Sequence, residues 1–124
     1  MAKARHTVLI VEDDASMNLA IKRVLNAAGF DAASFTSGEE LLRTGVMPTA
    51  GCLVIDLRLP GRSGFDLVER LAERRSFLPV VFITAHDEPE TRQQAEKAGA
   101  VAYLAKPFDG KSLIDAVNRA LHSP

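Results

Sequence analysis

The chain of 124 residues is 47% hydrophobic and 25% charged, with a formal net charge of -1, the size and balance of one ordinary globular domain. That charge gives no global attraction to nucleic acid or anionic membrane, and the lone Cys52 forms no internal disulfide and fits a reducing compartment. The basic start Met1–His6 leads into only four apolar residues, Val8 to Val11, too few for a signal-peptide core or a membrane span. The expectation is therefore a cytoplasmic protein with a flexible segment over 1–6, one domain over 7–122 and a short tail at 123–124.

Val8–Val11 is a continuous apolar run ended by Glu12-Asp13-Asp14, as in a strand buried on both faces. Met17, Ala20, Ile21, Val24, Leu25 and Ala28 then follow helical spacing, and Gly29 supplies a stop. Asp31–Phe35 is weakly apolar, as suits an edge strand, and Ser37 and Glu40 stand at capping-box spacing before Leu41 and Leu42. Gly51–Asp56 is a second continuous apolar strand. A loop over Leu59–Gly64 leads into a helix capped by Ser63, with Leu67, Val68, Leu71 and Ala72 inward.

Pro79–Ile83 is the next strand and ends in Thr84. Glu90–Lys97 reads as a helix with few apolar anchors, chiefly Ala95 and Ala98, and so one held loosely. Val101–Ala105 is the last strand, followed by Lys106-Pro107. Asp109 then caps a helix with Leu113, Ile114, Val117, Ala120 and Leu121 inward. Strand and helix alternate five times over short connections. This predicts a doubly wound, three-layer (βα)5 α/β fold with a parallel five-stranded sheet and right-handed crossovers. The four more apolar strands are expected to be interior or well covered.

Parallel strands bring their carboxyl ends to one edge, where such sheets bind their ligands. Those ends carry Glu12, Asp13, Asp14, Asp56, Thr84 and Lys106. Taken alone, Asp56 is a turn residue and the three acids are favourable charges at a helix start. Taken together, the carboxylates repel and raise one another's pKa unless a cation joins them. Mg²⁺ suits such a site because it binds few carboxylates and keeps exchangeable waters, with Mn²⁺ as an alternative. A carboxylate beside a divalent cation and a lysine can attack phosphorus, with Lys106 and Thr84 neutralising phosphoryl oxygens. No Gly-rich phosphate loop is present, so a phosphoprotein or a small phosphodonor is expected rather than ATP.

The set Val11-Glu12-Asp13-Asp14, Ile55-Asp56, Leu59-Pro60-Gly61, Thr84-Ala85, Tyr103 and Lys106-Pro107-Phe108 resembles the receiver domains of two-component response regulators, over residues 7 to 122. The resemblance implies the CheY-like, flavodoxin-like sheet order 2-1-3-4-5 and a signalling switch rather than a metabolic enzyme. It implies Asp56 as phosphoacceptor and Asp13 as direct Mg²⁺ ligand, with Glu12 acting through water and the Arg58 backbone carbonyl as a further ligand. Thr84 and Lys106 become the phosphate-sensing pair and Tyr103 the aromatic that turns inward. Ala85 is small enough to admit a donor, Lys106-Pro107 is usually cis in the family, and Arg58 and His86 tune phosphorylation and hydrolysis rates.

The implied donor is a histidine kinase or histidine phosphotransfer protein, docked on Ala15, Ser16, Leu19, Lys22, Arg23 and Pro107. Leu19 lies opposite the apolar stripe of its helix, the spacing reason for placing it there. The implied output face is the Glu90–Lys97 helix, the last strand and the last helix, which also allows a phosphorylation-dependent dimer. A downstream effector or an appended output domain is unspecified, and no nucleic-acid or membrane contact is expected of these residues. Two other classes share parts of the pattern. An Asp-nucleophile phosphohydrolase would place a second Asp where Arg58 stands. A flavodoxin-like flavin module would want hydroxyl-rich phosphate loops where this edge is acidic.

Overall fold

The sheet order follows from which runs are apolar on both faces. In the computed structural model, which describes residues 7–122, the strands are β1 (Thr7–Val11), β2 (Asp31–Phe35), β3 (Ala50–Asp56), β4 (Val80–Thr84) and β5 (Ala102–Ala105). All five are parallel in the order β2-β1-β3-β4-β5. The helices between them are α1 (Ala15–Ala27), α2 (Gly38–Thr44), α3 (Gly64–Glu73), α4 (Pro89–Lys97) and α5 (Gly110–Leu121). This is the doubly wound CheY-like arrangement. The segment expected to be flexible over 1–6 and the tail at 123–124 lie outside the described residues.

Alternate strand residues divide the core into two halves. Val8, Ile10, Cys52, Val54, Val81 and Ile83 face Ile21 and Leu25 of α1 and Leu113, Ala116 and Val117 of α5. Leu9, Val11, Leu53, Ile55 and Phe82 face Leu41 of α2, Leu67 and Leu71 of α3, and Ala95 of α4. Period two in the strands thus meets two helical layers. Burial pushes the Cys52 thiol up to about 12, so it packs as an apolar group.

Some local expectations shift. β5 forms the second sheet edge and is only partly buried along its length, because its outer neighbour is solvent rather than another strand. Ala20, Ala28 and Ala98 are exposed, so α4 keeps a single buried anchor, Ala95. Asn18, in contrast, is buried on α1. The Glu40 carboxylate reaches past Ser37 to the Thr36 N–H at 2.8 Å, while Ser37 caps as expected. The expected Leu59–Gly64 loop is largely a tight antiparallel hairpin that starts one residue earlier, pairing Arg58–Leu59 with Arg62–Ser63, and Gly64 already opens α3.

Candidate functional site at the carboxyl edge of the sheet

Register brings the charged residues level. Val11 pairs with Ile55 and Asp56 with Ile83, so Glu12 and Asp56 are adjacent across the strand ends. Thr84 pairs with Ala105, and the Lys106 N–H donates to the Thr84 carbonyl at 2.7 Å. Each group follows its strand's last apolar residue, where the ladder stops and side chains can meet above the sheet.

Lys106 Nζ donates to Glu12 Oε1 and to Asp56 Oδ2, both at 2.8 Å. The second Asp56 oxygen accepts from the Arg58 N–H at 2.8 Å, and Glu12 Oε2 accepts from the Asp14 N–H at 3.0 Å. Glu12 is fully buried and Asp56 is 5% exposed, whereas Asp13 is exposed. Glu12, Asp13 and Asp56 each offer a carboxylate oxygen within 4.8 Å of the others. The donor set is all hard oxygen, has a solvent-facing member and fits a partly hydrated Mg²⁺.

Burial pushes the Glu12 carboxyl up, with the Asp56 charge adding to it, against the lowering effect of its bonds to Lys106 and the Asp14 N–H. For Lys106, burial pulls downward, but the bonds to Asp56 and Glu12 outweigh it and the net shift is upward. Protonation of Glu12 therefore favours the folded state. Its contribution is complete below the ordinary value of 4.5 and fades as pH rises through the raised one. Glu12→Gln should stabilise the metal-free protein relative to wild type increasingly between acidic and neutral pH. Paired thermal melts across that range would show this, and a constant difference in Tm would contradict it.

The Thr84 side chain is buried, and its hydroxyl accepts from the His86 N–H at 3.0 Å. The Tyr103 ring is half-buried at the neighbouring edge. The Lys106-Pro107 bond is cis. Asp14 caps α1 through the Met17 N–H. On α1, Ala15, Ser16, Leu19 and Arg23 are exposed and Lys22 is half-buried, with Pro107 exposed at the far side of the edge. Leu19, 47% exposed, and Phe77 are the large apolar side chains most open to solvent among the described residues.

Two supports have only faint sequence signals. Asn18 Nδ2 donates to the Glu12 carbonyl at 2.9 Å and to the Phe35 carbonyl at 3.0 Å, tying α1 to the β1 and β2 ends. A lone Asn beside an apolar stripe is its only trace in the sequence. Gly64 lies beneath the phosphoacceptor candidate, where an added Cβ would stand 2.8 Å from the Asp56 carbonyl oxygen. Nothing in the sequence distinguishes it from a loop glycine.

A doubly wound parallel domain with three acids, a lysine and a threonine at its carboxyl edge has the architecture of a receiver-type signalling switch. The chain belongs to the response regulator receiver domain family, whose model matches residues 8–118. It is 38% identical over 116 residues to nodulation protein W of Bradyrhizobium diazoefficiens, covering 94% of this chain and 51% of that protein. It is 37% identical to the transcriptional regulatory protein TdiR of Thauera aromatica, covering 93% and 51%.

Among solved structures, a response regulator receiver protein from Burkholderia phymatum is 40% identical with a TM-score of 0.82, covering 94% of this chain and 95% of that one. FixJ-N is 32% identical with a TM-score of 0.86, covering 100% and 98%. The chain spans about half the length of these two curated relatives. As a receiver domain it is a signalling switch of two-component systems. No helix among the described residues is long and apolar enough to cross a membrane.

Proposed function

We propose that the chain accepts a phosphoryl group on Asp56 from a phosphohistidine of a kinase or phosphotransfer protein. The single observation that carries this is the Asp56 carboxylate gripped between the Lys106 ammonium and the Arg58 N–H, beside Glu12 and Asp13. An Asp56 oxygen attacks phosphorus, the new O–P bond forms as the N–P bond breaks, and the electron pair returns to the donor imidazole. Bound Mg²⁺, or Mn²⁺ in its place, would neutralise phosphoryl oxygens during transfer. Asp13, Asp56, the Arg58 carbonyl and, through water, Glu12 would hold it. Lys106 then exchanges its carboxylate partner for a phosphoryl oxygen, and the Thr84 hydroxyl closes on another.

Tyr103 turns inward as Thr84 moves, biasing α4, β5 and α5 between two states, and slow hydrolysis of the acyl phosphate resets the switch. That face would also carry any phosphorylation-dependent dimer. The same residues self-phosphorylate from a small donor, which gives the test. Incubation with acetyl phosphate and Mg²⁺ should add one phosphoryl group by intact mass, and a chelator should prevent it. No adduct at saturating donor would refute the reading.

Ala15, Ser16, Leu19, Lys22 and Arg23 on α1, with Pro107, form the proposed docking rim beside the acids. One exposed Leu is ordinary by itself. At the centre of such a rim it is the anchor that a histidine-bearing helix would cover. Leu19→Asp should slow phosphotransfer from a cognate kinase about tenfold or more, the loss expected for a buried apolar anchor. It should leave uptake from acetyl phosphate unchanged. Equal kinase rates for variant and wild type would remove Leu19 from the interface.

The names of the curated relatives, a transcriptional regulatory protein among them, support an output in gene regulation. In this reading the receiver fold is the switch for such an output, and the chain spans about half the length of those relatives.

A further inference from the structure

We propose that Arg92 and Asp87 are positioning residues for Tyr103, forming a clamp that opposes the switch and is released through the Thr84–Asp87 segment. The proposal rests on the receiver mechanism above. It adds two residues that touch neither the acidic cluster nor Lys106.

The Tyr103 hydroxyl is buried without a hydrogen bond of normal geometry among the described residues, although the Asp87 carboxylate lies near enough to act on it. A buried hydroxyl without a well-formed bond leaves part of its desolvation cost unmet, so the polar end of this side chain holds it only weakly. Its aromatic face is held instead. The Arg92 guanidinium carbon lies 4.8 Å from the ring centroid, within cation–π range. Arg92 is in turn fixed by a two-pronged grip on Asp87, with Nε to Oδ1 at 3.0 Å and Nη2 to Oδ2 at 2.8 Å. A forked pair sets the plane of the guanidinium as well as its position.

Asp87 follows His86, whose N–H donates to the Thr84 hydroxyl. One hydrogen bond and one peptide therefore link the hydroxyl proposed to sense phosphate with the carboxylate that aims Arg92. Movement of Thr84 toward a phosphoryl group displaces this segment, and the fork loses its alignment over the ring. Tyr103, relieved of both the cation over its ring and the nearby carboxylate, is then free to repack. The clamp carries weight because little else secures α4: its sole buried residue is Ala95, and Glu88 makes no side-chain cap bond at its start. Both clamp side chains reach solvent, so removing either leaves no buried charge behind.

Tyr103 is the only tyrosine in a chain without tryptophan, so tyrosine emission reports this position alone. The experiment compares wild type, Arg92→Ala, Asp87→Asn and Arg92→Lys by acrylamide quenching at rest and by titration with beryllofluoride in Mg²⁺. Arg92→Ala and Asp87→Asn should be quenched about twice as strongly. Their beryllofluoride midpoints should fall about fivefold, the change that an exposed cation–π contact with its supporting ion pair can account for. Arg92→Lys, which keeps the cation and loses the fork, should fall between.

Unchanged quenching in Arg92→Ala overturns the proposal, as does an unmoved or raised midpoint, because the pair would then be a passive cover. A wild type with no beryllofluoride response overturns the receiver mechanism instead, and the quenching comparison still decides the clamp.

Discussion

Asp56→Asn should take up no phosphoryl group from acetyl phosphate and Mg²⁺ under conditions in which wild type gains one, a loss of at least ~10³-fold in rate, as for removal of an attacking group. The amide is nearly the same size and can still accept from the Arg58 N–H, so the fold and the hairpin survive. What disappears is the anionic nucleophile and one of the two carboxylates that hold Lys106. The metal-free Asn variant should be at least as stable as wild type, because one member of a crowded acidic cluster is gone. Intact mass and a thermal melt on the same preparation separate the two effects. An adduct on Asp56→Asn would move the acceptor elsewhere; Asp13 is the neighbouring acid exposed to a donor.

Gly64→Ala should be the most damaging single-methyl change near the site. An added Cβ would meet the Asp56 carbonyl oxygen at 2.8 Å, Ile55 Cγ2 at 3.0 Å and the Leu57 Cα at 3.1 Å. Two of these are backbone atoms, which cannot rotate away. Alanine in place of glycine favours a helix by up to ~1 kcal/mol. Overpacking against backbone costs ~1–3 kcal/mol and here sits at its upper end, so the clash wins. We expect a net loss of about 2 kcal/mol, or roughly 8 °C in Tm for a domain of this size. Relief can come only by pushing α3 away from the Asp56 turn, so phosphoryl uptake should slow as well. A Tm equal to wild type would mean that the turn accommodates the methyl group at no cost.

These two positions show how unevenly the molecule can be read from its chain. Asp56 was legible because it ends an apolar run, and because other apolar runs end in acids, a hydroxyl and a lysine. Gly64 was not, since its importance lies in the absence of an atom beside a backbone segment eight residues earlier. Asn18 was similarly hidden, as its partners are two carbonyls on different strands. The Arg92–Asp87 pair over Tyr103 was invisible for another reason. Five residues apart, one in the loop before α4 and one on the helix, the two charges carry no pattern in the sequence, and only the fold places the Tyr103 ring beside Arg92.

What the sequence determined by itself was the class of fold, the edge at which chemistry would occur and the residues converging there. Each follows from one-dimensional facts: apolar runs set the buried strands, short connections enforce parallel crossovers, and strand ends collect at one edge. What only the tertiary structure decided was geometry across elements. Lys106 divides its bonds between Glu12 and Asp56, Glu12 is sealed from solvent while Asp13 is open, and the Tyr103 ring lies beneath the guanidinium of a forked ion pair. Such relations depend on register and packing distances of a few ångströms, which no spacing along the chain encodes.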